Sequence, residues 1–185
     1  WHLFLCKRHG DIMSDPNRYL LDILYTRELS RVCPLFIYSP YYSNTSVDDA
    51  KGNENYINYG VLYNHSASAI SCPHGSNLPT NEEWVELENY VRLNYSVSVG
   101  GALKADRLWN EVNYRTFDSG FEGLPPGIYT SYGGFSYLGG ITKYWTTSSG
   151  ERPWTMIFWE LNTGGGLHTY SRYEPDGYSV RCVKD

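Results

Sequence analysis

The stretch KYWTTSSGERPWTMIFWELNTGGGLHTYSRYEPDGYSVRCVKD, residues 143–185, decides the fold. It holds three of the six tryptophans, a strand-like alternation from Trp154 to Leu161 and a glycine-rich break at Gly164 to Gly166. An apolar strand, Tyr178 to Val183, carries Cys182 close to the last residue. Because a chain end frays unless it is tied down, we expect this strand to lie at the centre of a sheet around which the fold is built.

The composition indicates one domain with a proper core. The 185 residues are 41% hydrophobic and 16% aromatic, which is enough to bury a core. The 15 basic and 20 acidic residues give a formal net charge of −5 without a basic run. Nucleic acid is therefore not an expected partner, since phosphate binding needs clustered Lys and Arg. No apolar run approaches the roughly 20 residues of a membrane span, so we expect no span in this chain.

The residue types are typical of a secreted or surface binding domain. The chain has 18 Tyr and 18 Gly, with many Ser, Asn and Thr, and Tyr offers a large contact area at low rotamer cost. An ordinary Tyr-rich β domain has the same composition, and that alternative stays open. The first residues, WHLFLCKRHG, lack the basic-then-apolar order of a signal peptide. Since the chain starts at Trp1 rather than Met, we expect a fragment or mature form without its targeting segment.

The cysteines and histidines do not form a known metal or catalytic motif. Four cysteines, Cys6, Cys33, Cys72 and Cys182, show no CxxC spacing, which argues against a zinc site. Two disulfides would fit an oxidising compartment, and three pairings are open. The histidines are scattered without HExxH or paired spacing, so no catalytic residue is indicated. They are His2, His9, His65, His74 and His168.

The first third of the chain contains few clear signals. Apolar spacing predicts a helix over Asp15 to Leu29. The aromatic segment Pro34 to Tyr42, bounded by prolines, predicts a strand. Asn44 to Asn55 is polar and aperiodic and predicts a loop or a short helical turn. Tyr59 to Ser66 is the next predicted strand.

A capping box marks the clearest helix. Thr80 is followed three residues later by Glu83. In a capping box, each of these two side chains accepts a hydrogen bond from the backbone N–H of the other residue at the helix start. Trp84, Leu87 and Val91 follow at helical spacing and predict a buried stripe. A second short helix is predicted at Gly101 to Trp109. From Phe117 onward, short strands and turns rich in Gly, Tyr and Trp predict a loop-rich antiparallel sheet, so the fold class is α+β.

Several ordered landmarks resemble the Fibrobacter succinogenes major paralogous domain, a domain of secreted and surface proteins. They are DDAKGNENYINYGVLYN from residue 48, CPHGSNLPTNEEWVELENYV at 72–91, ALKADRLWN at 102–110, SGFEGLPPGIY with GGFSYLGG at 119–140, and KYWTTSS with DGYSVRCVKD at the end. Ser76 and Asn77 replace the Trp and His usual in the family, and Tyr144-Trp145-Thr146-Thr147-Ser148 replaces YWWSS. The resemblance divides the chain into a divergent lead-in, residues 1–33, and the domain itself, residues 34–185.

The resemblance implies a C-type-lectin-like fold: one or two helices on a small twisted antiparallel sheet with long Gly- and Tyr-rich loops. That fold would be shared with formylglycine-generating enzymes and with the variable proteins of diversity-generating retroelements. The first helix and the last strand meet in it, which implies a disulfide between Cys72 and Cys182. Cys6 and Cys33 are then the leftover pair.

Two alternatives come from the fold relatives. Formylglycine-generating enzymes need two closely spaced cysteines to hold copper, whereas Cys182 has no second thiol near it in sequence, so an enzyme is not expected. C-type lectins bind sugar through calcium, and Glu174-Pro175-Asp176 and Trp109-Asn110-Glu111 offer the oxygen ligands that calcium prefers. The tripeptide at 174–176 is equally a turn before the last strand, and we expect no cofactor, with calcium as the weaker alternative.

The strand from Trp154 to Leu161 predicts a binding face. Its side chains alternate between two faces, and the set with Trp159 and Leu161 is the more uniformly apolar, which places it in the core, although the opposite assignment stays open. Met156, Phe158 and Glu160 are then expected nearer solvent, where an aromatic patch would indicate a partner site. The predicted ligand-binding residues are Glu151, Arg152, Met156, Phe158, Glu160, Asn162, His168, Tyr170, Arg172 and Tyr173.

We therefore expect a non-enzymatic ligand-binding or adhesion domain, secreted or at the surface of a bacterium or phage. It would act as a pilus tip, a surface lipoprotein or a retroelement-diversified receptor-binding protein, and its partner would be a protein or a glycan on another cell or surface. The alternatives are a modifying enzyme of the formylglycine-generating type and a purely structural surface module.

Overall fold

The computed structural model describes residues 3–4, 54–110, 119–130, 134–173 and 176–185, with only the backbone of Leu3, Phe4 and Tyr173. The predicted helix at Asp15–Leu29, the strand at Pro34–Tyr42 and the pair Cys6 and Cys33 lie outside these residues, as does the predicted loop from Asn44 except for its last two residues.

The described residues form an α+β fold, as predicted. Four helices are present among them: α1 (Glu54–Tyr59), α2 (His65–Ser68), α3 (Asn81–Asn94) and α4 (Val99–Leu103). The strands are β1 (Leu3–Phe4), β2 (Ser76–Asn77), β3 (Ile128–Thr130), β4 (Gly134–Ser136), β5 (Ile141–Ser149), β6 (Thr155–Asn162), β7 (Leu167–Tyr173) and β8 (Cys182–Lys184). They pair in three small sheets, ordered β1-β8-β2, β3-β4 and β5-β6-β7. None of the described helices is long and apolar enough to cross a membrane.

The last strand lies at the centre of its sheet, as predicted. In β8, Val183 pairs with Leu3 of β1 on one side and with Asn77 of β2 on the other, both antiparallel. The regular strand is shorter than the predicted Tyr178–Val183, because Tyr178 forms only an isolated bridge with Tyr63. Strand pairing on both sides therefore ties the C-terminal segment into the fold.

The predicted disulfide between Cys72 and Cys182 is confirmed. It joins the segment before α3 to β8 across a sequence separation of 110 residues. Cys182 is buried in a cluster with Leu78, Trp145 and Tyr178. The bond therefore connects the start of the helix layer to the centre of the terminal sheet.

Helix α3 begins at the predicted capping box. Glu83 N donates to Thr80 Oγ1 at 3.2 Å, and Thr80 N donates to Glu83 Oε2 at 2.7 Å. Trp84 and Val91 are buried and Leu87 packs against the same cluster, as the spacing predicted. Two orphan N–H groups at the helix start are thus satisfied reciprocally.

Two predicted elements differ from the structure. Residues 59–66 are not a strand: Gly60, at φ +81°, follows α1, and Asn64 caps α2 by accepting from Ala67 N at 2.8 Å. The second helix is Val99–Leu103 rather than Gly101–Trp109, because Ser98 caps it and Lys104 is already extended. Both corrections follow from polar caps, which define helix ends more sharply than apolar periodicity does.

The sheet β5-β6-β7 is the centre of the molecule, and β6 is buried on both faces. Its helix face carries Tyr144, Trp159, Leu161 and Leu167, which pack with Trp84 and Val91 of α3. The Trp84 ring stacks on Tyr144 and Trp159, with centroids 5.3 and 6.0 Å apart. Its other face carries Trp145, Met156 and Phe158, which pack with Leu78, Tyr178 and Val180.

Met156 and Phe158 are therefore not exposed, and the expectation that they lie nearer solvent is wrong. Both are buried, because Tyr178 and Val180 cover the face that alternation alone assigned to solvent. The Tyr178 ring lies 4.9 Å from that of Phe158. Apolar side chains on both of its alternating faces are typical of a strand that is buried on two sides.

Backbone contacts with α4 hold the turn between β6 and β7. Gly100 N donates to Gly165 O at 2.9 Å, and a Cβ on Gly100 would lie 2.7 Å from Gly166 O. Because the obstructing atoms are backbone, a side chain at this position would force the turn to move. The buried Lys104 donates its Nζ to Gly164 O at 2.6 Å. Helix α4 thus fixes the turn that leads into β7.

Candidate binding surface

Strand β7 is the exposed edge of the central sheet. Its first residue, Leu167, is buried, whereas the five residues from His168 to Arg172 are all exposed. Tyr170 is 53% exposed. Because β7 pairs with the doubly buried β6 over its whole length without a bulge, these side chains extend from a rigid support.

The register brings most of the predicted site residues onto one face of the sheet. Across β6 and β7, Met156 lies opposite Arg172, Phe158 opposite Tyr170 and Glu160 opposite His168. The Tyr170 ring lies 5.8 Å from that of Phe158. The buried side chains of β6 therefore form the floor, and an outer row of His168, Tyr170 and Arg172 (hereafter the β7 row) is the part that a ligand can contact.

A polar network fixes Glu160 at one end of this face. Glu160 lies between Lys143, whose Nζ is 3.5 Å from Oε2, and Asn162, whose Nδ2 donates to Oε1 at 3.2 Å. The Glu160 and Lys143 side chains are only 13% and 14% exposed. Burial lowers the pKa of Lys143, and Glu160 partly opposes this. Lys143 also lies 4.5 Å above the Phe158 ring. Glu160 is thus mainly a structural group, held by Lys143 and Asn162 at the position opposite His168.

A second network orients Arg172 at the other end. Its Nε lies 3.5 Å from Asp176 Oδ2, and buried Asp176 accepts the Tyr178 hydroxyl at 3.1 Å. Desolvation raises the pKa of Tyr178 well above its usual value, and Asp176 adds to the effect. The Arg172 side chain remains 59% exposed, so its guanidinium retains donors for a ligand.

The predicted Glu151 and Arg152 lie apart from the β7 row, on the exposed turn between β5 and β6. Thr155, the residue after this turn, pairs with Tyr173 at the end of β7. The turn is closed by Gly150 N donating to Thr155 O at 2.8 Å and by Thr155 Oγ1 donating to Arg152 O at 2.7 Å. The nine predicted residues with described side chains therefore form two neighbouring groups rather than one patch, and Tyr173 is described by its backbone alone.

Sequence reasoning missed Trp154, the most exposed aromatic residue among those described. It is 81% exposed and has a φ of +64°, a conformation that a bulky residue adopts rarely. The predicted strand Trp154–Leu161 includes this residue, although Gly150 and Pro153 mark residues 150–154 as a turn. That turn signal would have placed Trp154 beside Arg152 at the tip.

Of the groups considered for catalysis, Cys72, Cys182 and His65 are engaged in structural contacts. Cys182 and Cys72 are joined in the disulfide. His65 Nε2 lies 2.9 Å from Thr146 O, and its ring lies edge-on to that of Trp145. His2 and His9 lie outside the described residues, and His74 is exposed.

The two candidate calcium tripeptides are only partly described. Asn110 N donates to Gly139 O at 2.8 Å and its Nδ2 to Leu138 O at 3.3 Å. Asp176 is buried, lies 3.5 Å from Arg172 Nε and accepts a hydrogen bond from the Tyr178 hydroxyl. Glu111, Glu174 and Pro175 lie outside the described residues. Within the described part of the chain, no three His, Cys, Asp or Glu residues are grouped for a metal.

The family model of the Fibrobacter succinogenes major domain matches residues 33–184. The chain belongs to this family. The match spans α1 to α4 and β2 to β8, so the Fibrobacter succinogenes major domain includes both the β7 row and the β5–β6 turn. No curated protein and no solved structure matches the chain.

Proposed function

We propose that this Fibrobacter succinogenes major domain is a non-enzymatic binding domain of an exported protein, with the β7 row as its ligand-contacting surface. One observation carries the proposal: five consecutive residues, His168 to Arg172, are exposed on a strand that rests on a doubly buried neighbour. Tyr and Arg are the residues that most often dominate binding energy. A rigid support reduces the ordering cost of binding.

The proposal includes export and a C-type-lectin-like fold. A disulfide between Cys72 and Cys182 persists in oxidising compartments, which supports a secreted or surface location. The disulfide joins the segment before α3 to β8. This agrees with the fold that the sequence resemblance implies, in which the first helix and the last strand meet, and comparison with an experimentally determined structure of the domain would test it.

The proposal is tested by screening the purified chain against glycan and cell-surface protein arrays, alongside two variants. The first replaces the β7 row: His168→Ala, Tyr170→Ala, Arg172→Ala. The second is a matched control on the exposed side of α3, Tyr90→Ala with Arg92→Ala, at residues that are likewise exposed. We expect a hit that weakens at least about tenfold, or about 1.4 kcal/mol, in the first variant and is unchanged in the second, with both variants folded.

Other outcomes would point elsewhere. A hit that both variants retain would place the binding surface away from β7, with Trp154 as the next residue to replace. The absence of any hit would favour a structural surface module, a second candidate that the burial of Met156 and Phe158 supports because it removes two apolar side chains from the exposed surface of this face. An enzyme of the formylglycine-generating type would require Cys72 and Cys182 as thiols rather than a disulfide.

A further inference from the structure

The two edges of the central sheet differ. The outer edge of β5 is covered by backbone hydrogen bonds: Trp145 N donates to Ser179 O, Ser179 N to Lys143 O, and Thr147 N to Pro79 O, at 3.2, 2.8 and 2.9 Å. On the outer edge of β7, no backbone hydrogen bond or bridge to another described residue is present. Main-chain donors and acceptors of β7 are therefore open to a further strand.

Strand β7 also lacks most of the features that usually protect an edge. Proteins block edge strands with charged side chains, above all lysine, and with proline, bulges or short length, and of these β7 has the charge of Arg172 alone. Residues 167–173, LHTYSRY, contain neither proline nor lysine, pair with β6 without a bulge, and form a strand longer than the average of about 5–6 residues. The edge has the regular geometry that strand addition requires.

We propose that β7 binds an extended peptide segment of a partner protein by strand addition. This inference rests on the proposed function, because β7 is the binding strand in both. It adds the mode of binding and the class of ligand. The peptide's main chain would hydrogen-bond to the outer edge of β7. Its side chains would alternate between the face with the β7 row and the face with Thr169 and Ser171.

Charge specifies the chemistry of that peptide. The strand carries Arg172 and His168 but no acidic residue. The acidic neighbours that the structure describes for these two side chains, Asp176 and Glu160, are buried or nearly so, so the outward-facing groups of β7 itself are a cation and an imidazole. A matching peptide has carboxylates in register with Arg172 and His168 and an aromatic residue beside Tyr170.

A second copy of the chain fits the edge less well. Antiparallel pairing of β7 with itself about Tyr170 would place His168 opposite Arg172. The second strand would then offer no carboxylate to Arg172, because β7 has no acidic residue. Electrostatics therefore favours an acidic peptide over self-association.

The first experiment uses the labelled full chain on an array of synthetic seven-residue peptides. The array varies two positions flanking a central Tyr, as Glu-Thr-Tyr-Thr-Glu, Gln-Thr-Tyr-Thr-Gln and Lys-Thr-Tyr-Thr-Lys, each extended by one Thr at both ends. We expect the Glu peptide to bind at least about tenfold more tightly than the Lys peptide. Equal binding by all three, or no binding, would overturn the proposal.

Main-chain pairing is tested on the peptide. N-methylation at one set of alternate residues removes donors that face β7, whereas the other set faces away. One methylated peptide should lose at least about tenfold in affinity and the other should bind as the parent does. Equal affinity of the two would show that the main chain is not involved and would overturn strand addition.

Proline variants of β7 separate this inference from the proposed function. Neighbouring residues of an antiparallel strand point their N–H groups to opposite sides, so of Thr169→Pro and Tyr170→Pro only one removes a bond to β6. The proline variant that keeps the wild-type melting temperature should no longer bind the Glu peptide. If this variant still binds a ligand that the alanine variant of the β7 row does not bind, the proposed function stands and strand addition fails. If it instead abolishes a dimer seen by analytical ultracentrifugation, the occupant is a second copy.

Discussion

At the scale of a single residue, Tyr178 is fully buried in the hydrophobic cluster on the face of the central sheet that carries Met156 and Phe158. Its ring stacks on Trp145 at 4.3 Å and lies 5.2 Å below the Lys143 ammonium group. Its hydroxyl donates to Asp176, which also holds Arg172. The phenol therefore lies in an apolar environment with an acidic acceptor, and both factors disfavour its ionised form.

Stability should fall at high pH because of Tyr178. Burial raises its pKa above the usual value of 10.0, so above about pH 10 the folded chain keeps a proton that the unfolded chain releases. Since the folded state then binds more protons, unfolding becomes easier as pH rises, by about 1.4 kcal/mol per pH unit for this group. Urea midpoints of wild type and Tyr178→Phe between pH 8 and 11 measure the effect, and the variant should show the shallower decline.

The control for this prediction is Tyr137→Phe, at a tyrosine that is exposed. Its pH dependence should match that of wild type. Lys143 contributes with the opposite sign, because its pKa is lowered and the unfolded chain binds more protons up to about pH 10.5. That contribution is common to all three proteins and cancels in the comparison. Parallel curves for wild type and Tyr178→Phe would contradict the prediction.

At the scale of an element, the start of α3 combines a local signal with tertiary contacts. The capping box of Thr80 and Glu83 was readable from the sequence, since both partners lie within four residues. The neighbouring Asn81 has contacts that were not: its N–H donates to Ser148 Oγ at 2.9 Å, and its Oδ1 accepts from Trp159 Nε1 at 3.1 Å. The helix start is therefore docked against both β5 and β6.

Loss of the cap should destabilise the fold moderately. Thr80→Ala leaves Glu83 N without its acceptor, and removal of an N-cap side chain costs about 1 kcal/mol. Glu83→Ala should also destabilise, whereas Glu83→Gln is the matched control because glutamine can complete a capping box. Urea unfolding at pH 7 checks the order of stability, which should be wild type, then Glu83→Gln, then the two alanine variants. An alanine variant as stable as wild type would show that the box adds nothing.

At the scale of the whole molecule, the disulfide and the terminal sheet stabilise the same part of the fold, the C-terminal segment. The Cys72–Cys182 bond and the pairing of β8 with β1 and β2 both fix the C-terminal segment to distant parts of the chain. Tyr178 and Val180, which cover Met156 and Phe158, belong to that segment. Fixing the segment therefore also keeps the second face of the central sheet closed.

Breaking the disulfide should cost several kcal/mol. A crosslink across 110 residues restricts the unfolded chain by about 4 to 5 kcal/mol on the loop-entropy account. Cys72→Ser with Cys182→Ser, in a Cys6→Ser and Cys33→Ser background, should lower the urea midpoint by the corresponding amount. The background protein, compared with and without reductant, is the control, and it should respond to reductant where the four-serine protein does not. An unchanged midpoint would show that β8 pairing alone holds the segment.

The sequence by itself determined the features that depend on neighbours in the chain or on several ordered motifs. The capping box located α3, the apolar run near the end predicted a strand at a sheet centre, and the family resemblance implied the Cys72–Cys182 bond. Trp84 and Val91 followed from helical spacing. Each signal lies within one segment or within motifs that belong together in the family.

Only the tertiary structure decided which surfaces are covered. Alternation in β6 separates two faces but does not show whether one or both are buried, because Met156 and Phe158 are covered by residues some twenty positions away, Tyr178 and Val180. The same limit applies to β7: its pattern of alternating side chains fits a covered or an open strand, and its exposure follows from the absence of a described neighbour at its outer edge. Burial is a property of what packs on a segment, and in a sheet those partners come from elsewhere in the chain.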